Sequence, residues 1–314
     1  MKPRVCIVAD VRTWCWHRKA VALQQHLRDE FDVRIVYQYE RPADPIPTDV
    51  DLLHTFEVMQ AIHADPAAPF VTGITAHVWD GHFRNHTAPV LRGVIDRARA
   101  FHANSVLLVE DTERRWGFRP HYCPNGVDET FFRPLRAKPT DHLVVGWVGK
   151  PNARKGGDIV KNACAMAGVE LRTVERTYRD ALPAEEMRDF YQGCHVVAVA
   201  SDFDGTPNHA LEGAACACAV VGNRVGNLPE LVTRGTYAAG ANYSMECGLL
   251  VGPLPDPAPR QPTHVDLAEA LRFLAADVPL ATRMGEAARA EIERAWTWKH
   301  QAQAYGAMWR EALR

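Results

Sequence analysis

Asp204 and Glu212 bracket Gly205-Thr206-Pro207-Asn208, a glycine-bearing turn that leads into the start of a helix. The pattern suits a phosphorylated sugar: sugar hydroxyls donate to the two acids, and phosphate oxygens accept from the N–H groups of Gly205 to Asn208. The run His195 to Ala200 just before it is short, β-branched and bounded by polar residues, which reads as a buried parallel strand. Ligands of open α/β sheets collect at the carboxyl ends of the strands, where the next helix offers unpaired N–H groups and the positive end of its dipole to an anion. Glu212 lies a helical turn further in, placed to accept from vicinal hydroxyls such as those of a ribose. The same residues also fit a surface turn capped by Asp204, with Glu212 in solvent.

Cations belong with such a turn if a diphosphate is to leave. Negative charge grows on the leaving group as its bond breaks, and a preorganised cation aimed at it is worth roughly 10²–10³ in rate. Lys150 follows the strand expected at Leu143 to Val148, and Lys155 opens the helical region after it, so the two can converge on one phosphate pair. Arg154 is either a third member or a solvated surface residue.

The stretch Ser201 to Val232 resembles the donor-site signature of family 4 glycosyltransferases with the GT-B fold. Asp204 stands where the family has its first Glu, Glu212 matches the second, and Cys218-Ala219-Val220-Val221 replaces a Gly-Pro-Val-Val strand entry. Three further phrases are similar in the expected order: Cys123 to Pro134, Gly146 to Asp158, and Ala295 to Trp309, which resembles a final helix crossing back to the first domain. By this resemblance Lys150 takes a position usually held by Arg, which keeps the charge but loses bidentate geometry, and Lys155 matches the Lys of an Arg-Lys-Gly motif. The resemblance implies an α/β protein of two Rossmann-like domains facing a central cleft. It also implies transfer of a sugar, with retention of anomeric configuration, from a nucleotide-diphosphate sugar that serves as co-substrate.

His77 ends the apolar segment that begins at Val71 and resembles the family's strand-end histidine near the donor sugar, with a structural histidine as the alternative. Asp80 would orient it or bind acceptor. Where the family has a Gly-Gly loop after the first strand, this chain has Asp10 to Lys19, with Trp14, Trp16, His17 and Arg18. Indole faces suit sugars, and Arg18 or Lys19 would meet an anionic acceptor; equally, the tryptophans would pack in the core. The acceptor stays open among a glycan, a lipid-linked glycan, a small molecule and a modified nucleic acid. A nucleotide-sugar epimerase or hydrolase on the same fold, and a GT-B protein that binds a nucleotide sugar without transferring it, stay open as well.

The elements that must position these residues follow from the wider sequence. At 314 residues the chain is long enough for two α/β domains, and a formal net charge of −2 advertises no broad attraction to nucleic acid or anionic membrane. Its eight cysteines show no zinc spacing, which points to structural thiols in a reducing compartment, and no Asp-x-Asp motif is expected at a strand end to hold a divalent ion against a diphosphate, so no metal is expected. No apolar stretch is long enough to span a bilayer and Met1 to Asp10 reads as a strand, so the expectation is a cytoplasmic protein, with a peripheral position at a membrane left open.

Strands are expected at Arg4 to Val8, Val33 to Tyr37, Asp51 to Phe56, Val71 to Ala76 and Ala100 to Asn104, with a helix from His17 to Glu30 carrying Ala20, Leu23, Leu27 and Phe31 at helical spacing. The second half reads as strands Leu143 to Val148, Glu170 to Val174, His195 to Ala200, Ala219 to Asn223 and Gly248 to Val251, with a helix over Glu185 to Gly193. Pro134 to Thr140 is the expected hinge. The domains are then 1–137 on the acceptor side, 138–295 for the nucleotide sugar, and 296–314 as the returning helix.

Overall fold

The computed structural model describes residues 1–12, 14–64, 68–75, 88–177, 182–234, 245–252 and 261–314, with residues 88–91 in backbone only. Two compact units emerge, Met1–Gly126 with Trp298–Arg314, and Val127–Thr297.

In the first unit the chain runs β1 (Arg4–Ala9), α1 (Cys15–Leu27), β2 (Asp32–Tyr37), β3 (Leu52–Thr55), α2 (Val58–Ala64), β4 (Phe70–Ile74), α3 (Ala88–Arg97), β5 (Ala100–Ala103), α4 (Val106–Trp116) and β6 (His121–Tyr122). The second unit holds β7 (Val144–Gly149), α5 (Gly157–Ala167), β8 (Glu170–Glu175), α6 (Ala184–Gln192), β9 (Val196–Val199), α7 (Asn208–Ala215), β10 (Ala219–Asn223), α8 (Leu228–Val232), β11 (Gly248–Val251), α9 (His264–Ala275) and α10 (Val278–Ala295). The last helix, α11 (Trp298–Ala312), returns to the first unit, as the resemblance implied.

Both sheets are parallel, in the orders β2-β1-β3-β4-β5-β6 and β11-β10-β9-β7-β8. Each therefore has a switch point beside its first strand, between β1 and β3 and between β7 and β9. At such a point the loops after neighbouring strands run to opposite faces and leave room for a ligand.

Strand residues alternate between two apolar cores, because a parallel sheet is covered by helices on both faces. In the second unit Val144, Val148, Val197 and Val220 pack toward α7 and α10 residues such as Leu211 and Ile292. Their neighbours Val145, Trp147, Val196 and Val221 pack on the other face with Val160, Leu267 and Leu271. The first sheet behaves alike, with Val5, Ile7 and Leu52 on one face and Cys6, Val8 and Leu53 on the other.

Helix α11 packs against α1 and buries Tyr305, Met308 and Trp309 in the first core. The Trp309 ring meets Phe31 edge-on at 5.2 Å, and the Tyr305 hydroxyl donates to the Cys123 carbonyl at 2.6 Å. Trp309 Nε1 also donates to His54 Nδ1 at 3.3 Å, and His54 Nε2 lies 2.9 Å from His102 Nε2. An indole can only donate, so Nδ1 of His54 is the acceptor. Burial holds the His54 pKa well below its ordinary value. The neutral ring then carries its proton on Nε2 and donates to His102.

The division between the two compact units falls at Gly126/Val127. Residues 127–139 are sealed onto the second unit by contacts that local composition does not reveal. Phe132 is in its core, Gln192 accepts from Leu135 N at 2.7 Å and donates to the Arg133 carbonyl at 2.9 Å, and His195 Nε2 lies 2.8 Å from the Pro139 carbonyl. Lys138 donates to the carbonyls of Tyr191 and Cys194.

All eight cysteines are free, and seven are buried. Among the described residues no helix is long and apolar enough to cross a membrane.

Candidate functional site

The carboxyl ends of β7 and β9, at the second sheet's switch point, bring together most of the residues singled out by sequence. Beyond β7, half-buried Lys150 is followed by Pro151 and Asn152, and Asn152 Oδ1 accepts from Lys155 N at 3.2 Å to cap a tight 3₁₀ turn over Ala153–Lys155. Gly156 closes the turn at φ 66°, and a Cβ there would stand 2.2 Å from the Ala200 carbonyl oxygen. Only glycine allows both the left-handed backbone and that approach to the end of β9. Trp147 Nε1 donates to the Lys155 carbonyl at 3.2 Å, and Asp202 N donates to the Arg154 carbonyl at 2.8 Å. The two loops are thus bound to each other along their backbones.

Across this junction the Lys155 ammonium donates to Oδ2 of Asp204, whose Oδ1 accepts from Gly205 N at 3.0 Å. The pair is largely buried, with 17% and 15% of the two side chains exposed. Burial alone would raise the Asp204 pKa, but the Lys155 charge and hydrogen bond outweigh it and hold the carboxyl below its ordinary value. Arg154 lies with its guanidinium carbon 4.6 Å from the Phe203 ring centroid, half-buried rather than simply solvated. Asp202 and Asp204 make an Asp-x-Asp spacing just after β9, which corrects the expectation that no such motif stands at a strand end. Here Asp204 already has a lysine as counter-charge. Among the described residues no group of three His, Cys, Asp or Glu side chains is placed to hold a metal ion.

Helix α7 starts at Asn208, and its first turn has no side-chain cap. Of the N–H groups expected to face a phosphate, that of Gly205 is donated to Asp204. Thr206 is held by Asn227 Nδ2 at 3.3 Å, and Gly226, at φ 56°, lies against the Gly205 carbonyl.

Glu212 is buried, 7% exposed, so it is not a solvated surface acid. Its Oε2 accepts from the Tyr191 hydroxyl at 2.9 Å. Burial, and then the Glu212 charge, push the Tyr191 phenol well above its ordinary pKa, so the phenol remains a neutral donor.

Two residues here escaped the sequence reading. Tyr191, on α6, is 21 positions from Glu212 and carries no local signal. His209, second residue of α7, sits inside the phrase but was not singled out; its signal was a titratable ring in the first helical turn after the Asp204 loop. Burial and then the Lys155 charge lower its pKa to about 3, so the ring is neutral at physiological pH.

The acceptor-side candidates belong to the first unit. Trp14 is the N-cap residue of α1, and half-buried Trp16 packs at the edge of the core with its ring 6.1 Å from that of Phe56. His17 Nδ1 lies 2.7 Å from the Tyr37 hydroxyl, and Arg18 is half-buried. Lys19 does not reach out to meet an anion: it is 1% exposed, with Nζ 4.7 and 4.8 Å from the Phe56 and Tyr305 ring centroids and 3.5 Å from Asn104 Oδ1. The cause is helical spacing, since Lys19 stands four residues before Leu23 on the apolar face of α1. His77 and Asp80 lie outside the described residues.

Residues 129–277 match the family Glycosyl transferases group 1, a stretch wholly within the second unit. The alpha-maltose-1-phosphate synthase of Mycolicibacterium smegmatis is 25% identical over 224 residues, which cover 59% of this chain and 55% of that protein. The chain thus matches little more than half the length of this curated relative.

Among solved structures, the sucrose-phosphate synthase of Thermosynechococcus elongatus superposes with a TM-score of 0.71 at 15% identity, covering 98% of each chain. Anabaena HepE, solved in complex with UDP and glucose, superposes with a TM-score of 0.67 at 13% identity, covering 98% of this chain and 99% of that one. At these identities the likeness establishes the fold, which is the one the sequence resemblance implied.

Proposed function

We propose, from the match of residues 129–277 to the group 1 glycosyl transferases, that this chain transfers a sugar from a nucleoside-diphosphate donor to an acceptor hydroxyl with retention of anomeric configuration. The observation that carries the reading is the convergence of Lys155, Asp204 and the uncapped start of α7 at the carboxyl ends of β7 and β9. A diphosphate seated there meets the Lys155 ammonium, with Lys150 and Arg154 nearby on the same loop, and the positive end of the helix. Negative charge grows on the leaving phosphate as the glycosidic bond breaks, and these groups stabilise it.

Asp204 holds Lys155 in place until phosphate oxygens compete for the ammonium; its carboxylate is then available to a sugar hydroxyl. Glu212, oriented by Tyr191, accepts from the ribose hydroxyls. Neutral His209 both donates and accepts, and so adds a contact to hydroxyl or phosphate oxygen without adding charge. In the first unit, Trp14, Trp16, His17 and Arg18 are the acceptor-side candidates. His77 keeps the role beside the donor sugar that the family resemblance implies, and Asp80 that of orienting it or binding acceptor.

HepE was solved with UDP and glucose, which makes UDP-hexoses the first donors to try. The test is product analysis with a panel of nucleotide sugars and pooled hydroxyl acceptors. Nucleoside diphosphate should be released only when acceptor is present, and NMR coupling constants should give the product the donor's anomeric configuration. Equal donor consumption without acceptor would mark a hydrolase, and an inverted product would overturn the proposed course of reaction.

A further inference from the structure

Gln261, just before α9, places its side-chain amide nitrogen 2.8 Å from the Ala153 carbonyl, 3.3 Å from that of Arg154 and 3.0 Å from that of Ala200. Those carbonyls lie on two different loops. Ala153 and Arg154 belong to the turn that carries Lys155, and Ala200 follows β9 and leads into Asp204. An NH₂ group has two hydrogens, so it spans the junction by one bond to each side, the Arg154 carbonyl sharing the first. The other ties across the junction are the Asp202 N–H to the Arg154 carbonyl, the Lys155–Asp204 pair and the close approach of Gly156 to Ala200.

We propose that Gln261 is a positioning residue for the donor site, which fixes the Ala153–Lys155 turn on the end of β9 and so sets where the Lys155 ammonium meets a nucleoside diphosphate. This rests on the donor site described under the proposed function. Without the amide, the turn keeps its glycine, one backbone bond and the Lys155–Asp204 pair, but the Ala153 and Ala200 carbonyls lose their shared donor. The turn backbone is then held less firmly on the end of β9, and the Lys155 ammonium moves with it. A shift of this kind acts on ligand affinity through Lys155 and through no contact of Gln261 itself.

The test is a double-mutant cycle on the full chain, read by calorimetric titration with the nucleoside diphosphate that the wild type binds best. Gln261→Met removes the donors at nearly constant length, and should raise Kd about tenfold, the loss expected for hydrogen bonds that hold a charged group in place. In a Lys155→Ala background the same change should alter Kd by less than about twofold, because the residue it positions is gone. Gln261→Leu is the second donorless variant and adds no charge to either background. Thermal unfolding confirms that each protein is folded.

A Gln261→Met protein that binds like wild type, or that loses the same factor with and without Lys155, would overturn the inference while leaving the donor site standing. Failure of the wild type to bind any nucleoside diphosphate would overturn both.

Discussion

Lys155→Ala lowers turnover by roughly 10²–10³-fold in a folded protein, the loss typical of removing one preorganised group from a site of developing charge. The ammonium is held by its turn and by Asp204 before any ligand arrives, so little reorganisation is needed when the leaving phosphate gains charge. A competing explanation is that the variant suffers because buried Asp204 is left without its counter-ion and takes up a proton. The double variant Lys155→Ala/Asp204→Asn separates the two. Asp204→Asn alone is the reference, since Asp204 itself meets a sugar hydroxyl: if orphaned Asp204 were the cause, the double variant would turn over as fast as Asp204→Asn; if Lys155 acts on the phosphate, it stays far slower. Steady-state kcat, with circular dichroism to confirm folding, reads the outcome.

Lys19→Met stabilises the chain at neutral pH. Burial lowers the Lys19 pKa from 10.5 to about 7, a shift worth on the order of 4 kcal/mol against the folded state. The sign follows from proton counting. Folded Lys19 holds its proton less tightly than unfolded Lys19, so the unfolded chain binds more protons between pH 7 and 10.5. The penalty is therefore full below pH 7 and is relieved as the pH rises toward 10.5.

Other groups titrate in the same unit. His54 and His102, both facing Lys19, have lowered pKa values through burial and then the Lys19 charge. The Cys123 thiol is pushed up to about 12 by burial, and Cys15 also faces the ammonium. The quantity to measure is accordingly the difference between wild type and Lys19→Met in urea unfolding, from pH 6 to 9. The advantage of methionine should be largest at the acid end and shrink toward pH 9. A constant difference across that range would mean that Lys19 is not an uncompensated buried cation.

Strands were the most legible part of the chain. β7, β9 and β10 are valine-rich runs buried on both faces of a parallel sheet, so short apolar segments between polar residues mark them directly. The two-residue β6 and the five-residue α8 are too short to show a period, and neither was read. The prolines of residues 134–139 advertise a linker, whereas the bonds of Gln192, His195 and Lys138, which hold residues 127–139 to the second unit, act across long sequence separations and leave no local signal.

At the site, the loops after β7 and β9 were readable from their order along the chain. What joins them was not. The Lys155–Asp204 pair closes across 49 positions and the Gln261–Ala153 bond across 108. Lys19 is a different case, because its spacing to Leu23 was available in the sequence and its charge hid it.

The most direct test of a donor site in the second unit is calorimetric titration of the full chain with UDP, GDP, ADP and TDP. Saturable binding of at least one nucleoside diphosphate is expected, weakened by Lys155→Ala and by Glu212→Ala. Bound ligand at about 100 times its Kd should stabilise the protein by about 2.7 kcal/mol. Absence of binding by all four at millimolar concentration would contradict the assignment of Lys155, Asp204, Glu212 and the start of α7 to a nucleotide-sugar donor.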